Sequence, residues 1–331
     1  MRVLLPYAGW LPGAADKLPL PALHTLLSKM QLLRQVSRPE TAFYYLKHEL
    51  EWAALHGLMG AKTGRLPLAA LQRQQSGLAP GAGEAWGRIS LCQWQIGMND
   101  GQLRAPAQLA ITQDEAQALW QTLTPLLAAC DLHSAPYPVL PPYARHVRVD
   151  GLFVDLPCAS VERVAGQDLS AYLPRAQAGQ SASPAAAWQN LLAQVQMQLY
   201  NHPVNNAREA RRQPTINSIW LDGVGALPAD FSPAQGQVIP DLQQAAERGD
   251  AAAWRSAWLR IEAEQVPLWQ AALTAGEALH ITLCGLHTAV QFQPQPSSLG
   301  QRIQAWWQAL RGGTPPVHWP QILSQSPENH I

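Results

Sequence analysis

The sequence predicts a mixed α/β chain of the α+β kind, a mixed sheet with flanking helices. Three observations predict it. Ile89, Leu91, Gln93, Gln95 and Gly97 alternate with Ser90, Cys92, Trp94 and Ile96, the period of a strand. Trp188, Leu191, Leu192, Val195 and Leu199 recur at helical spacing and form one apolar stripe. Strands and helices interleave without the strict βαβ rhythm of a doubly wound sheet, and several hairpins are implied.

Taken in order, Val3-Leu4-Leu5 reads as a short buried strand. Leu23, Leu26, Leu27, Met30 and Leu33 predict a helix over 21–36, stopped by Pro39. A second helix over 40–58 carries Phe43, Leu46, Leu50 and Ala53 and ends at Gly57 and Gly60. Residues 74–87 are rich in Gly, Gln, Ala and Pro and read as a loop or boundary. After the first alternating strand, Met98-Asn99-Asp100-Gly101 predicts a turn into a hairpin partner over Gln102–Leu109. Thr112-Gln113-Asp114-Glu115 is a capping box, and the helix behind it holds Leu119, Trp120, Leu123 and Leu127, with Pro125 kinking or ending its regular part. His146 to Pro157 reads as two strands about Asp150-Gly151, and Glu162 to Asp168 as a polar connection.

Ser183-Pro184 is an N-cap with proline at the first helical position. Ile219-Trp220-Leu221 reads as a strand, with Asp222-Gly223-Val224-Gly225 as a loop after it. Helices over 241–248 and 250–273, strands at Leu279–Cys284 and His287–Phe292, and a helix over 298–310 follow. The expected organisation is one α/β part from 1–80 with 233–311, a second from 82–232, and a flexible tail over 312–331.

Composition bounds the function. The chain has 331 residues, 47% hydrophobic, so one large or two modest cores are expected. Charged residues make up 14% and the net charge is +0, which supplies no basic field for nucleic acid or for an anionic membrane surface. No apolar run of about 18 residues occurs, so no membrane span is expected. The start is a poor signal peptide, and the expectation is a cytoplasmic protein. Cys92, Cys130, Cys158 and Cys284 form no CxxC pair and read as buried thiols. HExxH and HxH are absent, as are GxSxG, the phosphate-loop pattern and GxGxxG, so no metal and no cofactor is expected.

Polar chemistry gathers in one stretch, Tyr200 to Gly225. Ala207 to Arg212 predicts one or two helical turns, with Asn205 or Asn206 as N-cap. Arg208 and Arg211 are three apart, so their guanidiniums share a face. Two arginines, a helix N-terminus and amide donors suit a phosphate or carboxylate. The same residues suit a scaffold, because asparagines in irregular backbone bond the loop itself and arginines tie carbonyls or Asp168 and Asp222. A third expectation is a protein-docking surface built on Trp254, Trp258, Trp306 and Trp307.

The run His202-Pro203-Val204-Asn205, then Arg208, Pro214 and Asn217-Ser218-Ile219-Trp220-Leu221, resembles a segment of the archaeal-type cofactor-independent phosphoglycerate mutases. It is more similar still to a proteobacterial family of RpfE-type regulatory proteins. Arg212 stands where that family has glycine, and Asp222 where it has a second Trp. A looser likeness covers 86–225, including Val164-Ala165-Gly166-Gln167-Asp168-Leu169. The resemblance implies an alkaline phosphatase-like ancestry. Those mutases use two divalent metals and a phosphorylated serine, set by an N-terminal DGxGD-like motif and later Asp/His clusters, and none of these motifs is in this sequence. The matching segment belongs to their substrate-side domain.

The resemblance therefore implies a degenerate mutase: a non-catalytic binding or regulatory protein, with an anion site drawn from His202, Asn205, Arg208, Arg211, Asn217 and Asp168. The alternatives are a metal-dependent mutase or phosphatase-like enzyme, and a Trp-rich interaction scaffold. The expected partners are a small phosphorylated or carboxylate ligand and a protein, with no nucleic acid and no membrane.

Overall fold

The computed structural model describes residues 1–11, 18–36, 44–58, 65–97, 101–135, 140–175, 183–295 and 319–323. In chain order its elements are β1 (Arg2–Leu5), α1 (Pro21–Ser28), β2 (Met30–Val36), α2 (Lys47–Leu55), α3 (Leu68–Gln75), β3 (Ala85–Ile96), β4 (Gly101–Arg104), α4 (Gln113–Ala128), β5 (Leu132–Ala135) and β6 (Ala144–Val149). There follow α5 (Val161–Val164), α6 (Pro184–Tyr200), α7 (Pro203–Ala210), β7 (Ser218–Ala226), β8 (Gln237–Val238), α8 (Asp241–Glu247), α9 (Ala251–Arg260), α10 (Val266–Thr274), β9 (His280–Cys284) and β10 (Ala289–Pro294). The chain divides into two compact units. The first is Met1–Pro39, Leu50–Leu55 and Ala234–Ile331; the second is Glu40–Glu49 and His56–Pro233.

The first unit is built on a mixed sheet in the order β2-β10-β9-β1-β8. β1 runs parallel to β8 and β9, and β10 runs antiparallel to β9 and β2. Here the helix expected over 21–36 is corrected. It ends at Ser28, and Met30–Val36 pairs with β10 instead. A short apolar run fits either period, and the strand partner decides by satisfying the backbone. Helices α9 and α10 are joined by a wider turn of π type, Ile261–Gln265. Pro267 lacks an N–H for the ladder and its ring crowds the carbonyl four residues back, which accounts for the wide turn. The carboxylate of Glu262, in that turn, accepts from the Ala22 and Leu23 N–H groups at 2.5 and 3.0 Å. It thereby caps α1, whose own N-cap, Leu20, has no side-chain acceptor.

Trp254 and Trp258 lie fully inside this unit, edge to face at 6.2 Å, with Trp319 5.5 Å from Trp258. This corrects the expectation of a docking surface on that pair: an indole buried in a core is not presented to a partner. Trp306, Trp307, the helix expected over 298–310 and most of the expected tail lie outside the described residues. Within the tail, Trp319–Leu323 is a short helix with Trp319 and Leu323 buried.

The second unit is an antiparallel sheet, β4-β3-β6-β5, with β7 on the free side of β3. β3 pairs with β6 through Ala85–Ser90 and with β7 through Ala85–Cys92, so its first half is interior to the sheet. Its alternation assigns the faces. Ile89 and Leu91 join Trp120, Leu123, Trp188 and Val195 of α4 and α6 in the main core. Cys92 joins Trp220, Val161 and Val164 in another cluster. The hairpin from β3 into β4 is present, with Ile96 opposite Gly101; its turn, 98–100, lies outside the described residues.

The capping box of α4 is formed in both directions: Thr112 Oγ1 accepts from Glu115 N–H at 3.3 Å, and Glu115 accepts from Thr112 N–H at 3.1 Å. Pro125 sits inside the last turn of α4 without ending it. Three further expectations are corrected, and one element was not expected at all. Gly151–Asp155 is a 3₁₀ turn, not a strand after β6. Val161–Val164 is a short helix within the stretch expected as a connection. The unexpected element is α3, a helix in a stretch for which the sequence predicted none. Asp222-Gly223-Val224-Gly225 lies within β7 rather than in a loop beyond it. Gly223, at φ +61°, lets the strand shift register there, and a Cβ on it would stand 3.2 Å from the Ala69 nitrogen of α3.

Candidate functional site

The stretch from Tyr200 to Gly225 is a helix–loop–strand junction that turns Asn205, Arg208, Ser218 and Asp222 inward and leaves Asn206, Glu209, Arg211, Arg212 and Gln213 exposed. His202, not Asn205 or Asn206, is the N-cap of α7, because Pro203 takes the first helical position. His202 Nδ1 accepts from Val204 N–H at 3.2 Å, which leaves the ring proton on Nε2, 3.0 Å from Thr122 Oγ1. Burial lowers its pKa, in keeping with a neutral acceptor. Asn205 is buried. Its amide donates to the Leu199 and Ile216 carbonyls and its oxygen accepts from Ile216 N–H, each at 2.8 Å. Asn217 exchanges bonds with Trp94, accepting from its N–H at 2.7 Å and donating to its carbonyl at 2.9 Å, as a strand residue would.

Arg208 is 1% exposed. Its Nε donates to the Pro214 carbonyl at 2.7 Å, one terminal nitrogen to the Leu109 carbonyl at 2.6 Å, and the other to Glu115 at 2.7 Å. Arg211, whose side chain is 54% exposed, donates to the other Glu115 oxygen at 2.6 Å. The pair of guanidiniums that suits a carboxylate therefore holds one from the chain itself, the capping-box glutamate of α4. Asp168 is solvent-exposed and accepts from Ser170 N–H and Oγ, which hold its carboxyl below the usual range. It shares no partner with Arg208 or Arg211 among the described residues. The structure thus brings His202, Asn205, Arg208, Arg211 and Asn217 into one junction and places Asp168 on another turn.

A second polar group was not singled out by sequence pattern. Arg88 of β3 makes a bidentate pair with Asp222 of β7, Nε to Oδ1 at 2.9 Å and a terminal nitrogen to Oδ2 at 2.8 Å, and also reaches Glu162 at 2.6 Å. Asp222 further accepts from Val161 N–H at 2.8 Å, so it serves Arg88 and α5 rather than Arg208 or Arg211. Close by, Glu49 accepts from Leu46 N–H at 2.6 Å and from Ser160 Oγ at 2.7 Å. Burial, then the charge of Glu162, pushes the Glu49 carboxyl up to about 8. Burial holds His48 down at about 4 and, with Arg88 and Arg73 nearby, His146 at about 3. The one available signal was a charged residue in each of two apolar strands, Arg88 and Asp222, on the sheet face opposite Ile89 and Leu221.

A cleft of about 410 Å³ opens at the C-terminal end of β7. It is lined by Val224 to Pro228, by Leu58, Arg65 and Pro67, and by Val154 with Asp155 of the 3₁₀ turn. Arg65 is ion-paired to Asp155, with side-chain exposures of 21% and 74%. Among the described residues no group of three or more His, Cys, Asp or Glu side chains is placed to hold a metal ion, and no helix is long and apolar enough to cross a membrane.

No family model matches the chain, and no curated protein matches it by sequence. Two solved structures are similar to it over most of their length. A cofactor-independent phosphoglycerate mutase from Thermoplasma acidophilum is 14% identical at a TM-score of 0.32, covering 88% of each chain. A protein from Pyrococcus horikoshii is 12% identical at a TM-score of 0.45, covering 88% of this chain and 86% of its own. Neither match is close enough to carry a function.

Proposed function

We propose that this chain is a non-catalytic binding protein of regulatory kind, and that its ligand is a small carboxylate- or phosphate-bearing molecule held at the cleft beside β7. The observation that carries the reading is Arg65: a guanidinium at the wall of a 410 Å³ cleft, paired with a largely exposed carboxylate. Sites for small ligands are concave, mostly apolar and furnished with a few polar groups, and this cleft has that composition. The polar stretch around Arg208 supports the same reading from the other side, because Arg208, Asn205 and Asn217 are engaged in holding α7 and β7 in place. Among the candidate residues of that stretch, Arg211 is the one whose side chain stays exposed.

Calorimetric titration with 3-phosphoglycerate, inorganic phosphate and short carboxylates tests the proposal. The expected result is saturable binding that Arg65→Ala removes and Arg211→Ala retains. Loss of binding in Arg211→Ala alone moves the site to the Arg208–Arg211 face. Interconversion of phosphoglycerates by the protein in Mn²⁺ refutes the non-catalytic reading.

A further inference from the structure

Resting on the cleft as the site, we infer that its ligand is an amphipathic monocarboxylate, and that Asp155 is an internal carboxylate which that ligand displaces from Arg65. Three features carry this. The first is the walls. Leu58, Pro67, Val154, Val224 and Leu227 are aliphatic, and Leu58, Pro67 and Val224 are buried. An apolar body lying on them leaves water, which a bare phosphate cannot exploit.

The second is the charge. Among the described residues, Arg65 and Asp155 are the charged side chains of the cleft lining, one of each sign. A single guanidinium matches a single carboxylate in planar, two-point fashion. A phosphate monoester brings nearly twice the charge. Its second charge would find no further cation among the described lining residues and would meet the Asp155 carboxylate.

The third is the pair itself. The Asp155 side chain is 74% exposed, so water replaces the guanidinium at little loss when the pair opens. Asp155 sits in a 3₁₀ turn with Val154, and Arg65 lies two residues before Pro67 on the neighbouring segment. A carboxylate arriving with an apolar body has what Asp155 lacks, a surface to bury. It therefore competes for the same nitrogens with an added hydrophobic gain.

The test uses the full chain, with phenylacetate, hexanoate, 3-phosphoglycerate and inorganic phosphate titrated separately into wild type, Arg65→Ala and Asp155→Asn, each checked for native circular dichroism. Phenylacetate and hexanoate are expected to bind more tightly than 3-phosphoglycerate, to weaken at least tenfold in Arg65→Ala, and to tighten severalfold in Asp155→Asn, where the competing charge is gone. A merely structural Asp155 would not give that tightening. If 3-phosphoglycerate binds as tightly as phenylacetate, or if Asp155→Asn leaves phenylacetate binding unchanged or weaker, the inference is overturned while the cleft survives as an anion site. If none of the four compounds binds wild type, the cleft reading itself falls, and the inference with it.

Discussion

Replacing Arg208 by alanine distinguishes a guanidinium that holds the fold from one that holds a ligand. The side chain is 1% exposed and its three nitrogens reach the Pro214 carbonyl, the Leu109 carbonyl and Glu115. Truncation strands two carbonyls in a site that water enters poorly and leaves a void where the guanidinium lay. Glu115 is not stranded, because Arg211 and Thr112 N–H still serve it. Removing one member of a buried, hydrogen-bonded charge pair costs about 3–5 kcal/mol. The retained partners of Glu115 place this case near the lower end, about 3 kcal/mol. For a unit of this size that corresponds to a fall in melting temperature of roughly 6–12 °C. Urea denaturation followed by far-UV circular dichroism measures it, with the m-value held to that of wild type. Ligand titration of the variant at a temperature where it is folded should give wild-type affinity. A destabilisation under about 1 kcal/mol would refute the reasoning, since the three bonds would then be contributing almost nothing.

The remaining predictions share that assay. Arg211→Ala, which removes a half-exposed partner of Glu115, should change stability by less than about 1 kcal/mol. Glu49→Gln should alter the pH profile. The folded carboxyl keeps its proton to about pH 8, whereas its ordinary value is 4.5, so at this group the folded state binds more protons across that window and the Glu49 contribution to stability falls as pH rises from 4.5 to 8. The variant should lose that decline, read between pH 6.5 and 8 where histidine protonation does not oppose it, and an unchanged slope there would show that Glu49 ionises normally. On the acid side, His48 and His146 stay neutral in the fold to about 4 and about 3, below their ordinary 6.5, so stability present above pH 6.5 should fall as pH drops through 6.5 towards 4 in wild type and variant alike. Gly223→Ala forces a side chain into a left-handed conformation 3.2 Å from the Ala69 nitrogen, and should cost about 1–3 kcal/mol or more; wild-type stability would place β7 differently.

Much of the local structure was legible because its signals are local. The capping box at Thr112 and Glu115 marked the start of α4, the stripe from Trp188 to Leu199 marked α6, and alternation marked β9, with β10 expected as its partner. Each signal is complete within a few residues, since a helix stripe repeats every turn and a cap satisfies its own first turn. The candidate site was legible as a list of residues but not as an arrangement. His202, Asn205, Arg208 and Asn217 were named from a run of polar chemistry, and their partners are a threonine in α4, carbonyls on either side of α7, the glutamate of a capping box 93 positions away, and the backbone of Trp94. Glu115 had a sufficient local role, so nothing in the sequence marked its second one.

By itself, then, the sequence determined the mixed α/β class, the helices with caps and stripes, and the concentration of polar groups between Tyr200 and Gly225. Tertiary structure decided that Met30–Val36 is a strand, that Asp222 lies inside β7, and that Arg88, 134 positions from Asp222, is its partner. It also decided that the arginine pair is answered by a carboxylate of the chain, while Arg65, unremarkable in sequence, stands beside a cleft. The physical reason is one of range. Helix periodicity and capping are set by neighbours three and four residues apart, whereas strand pairing and the neutralisation of a buried charge depend on whichever distant segment the folded chain brings alongside.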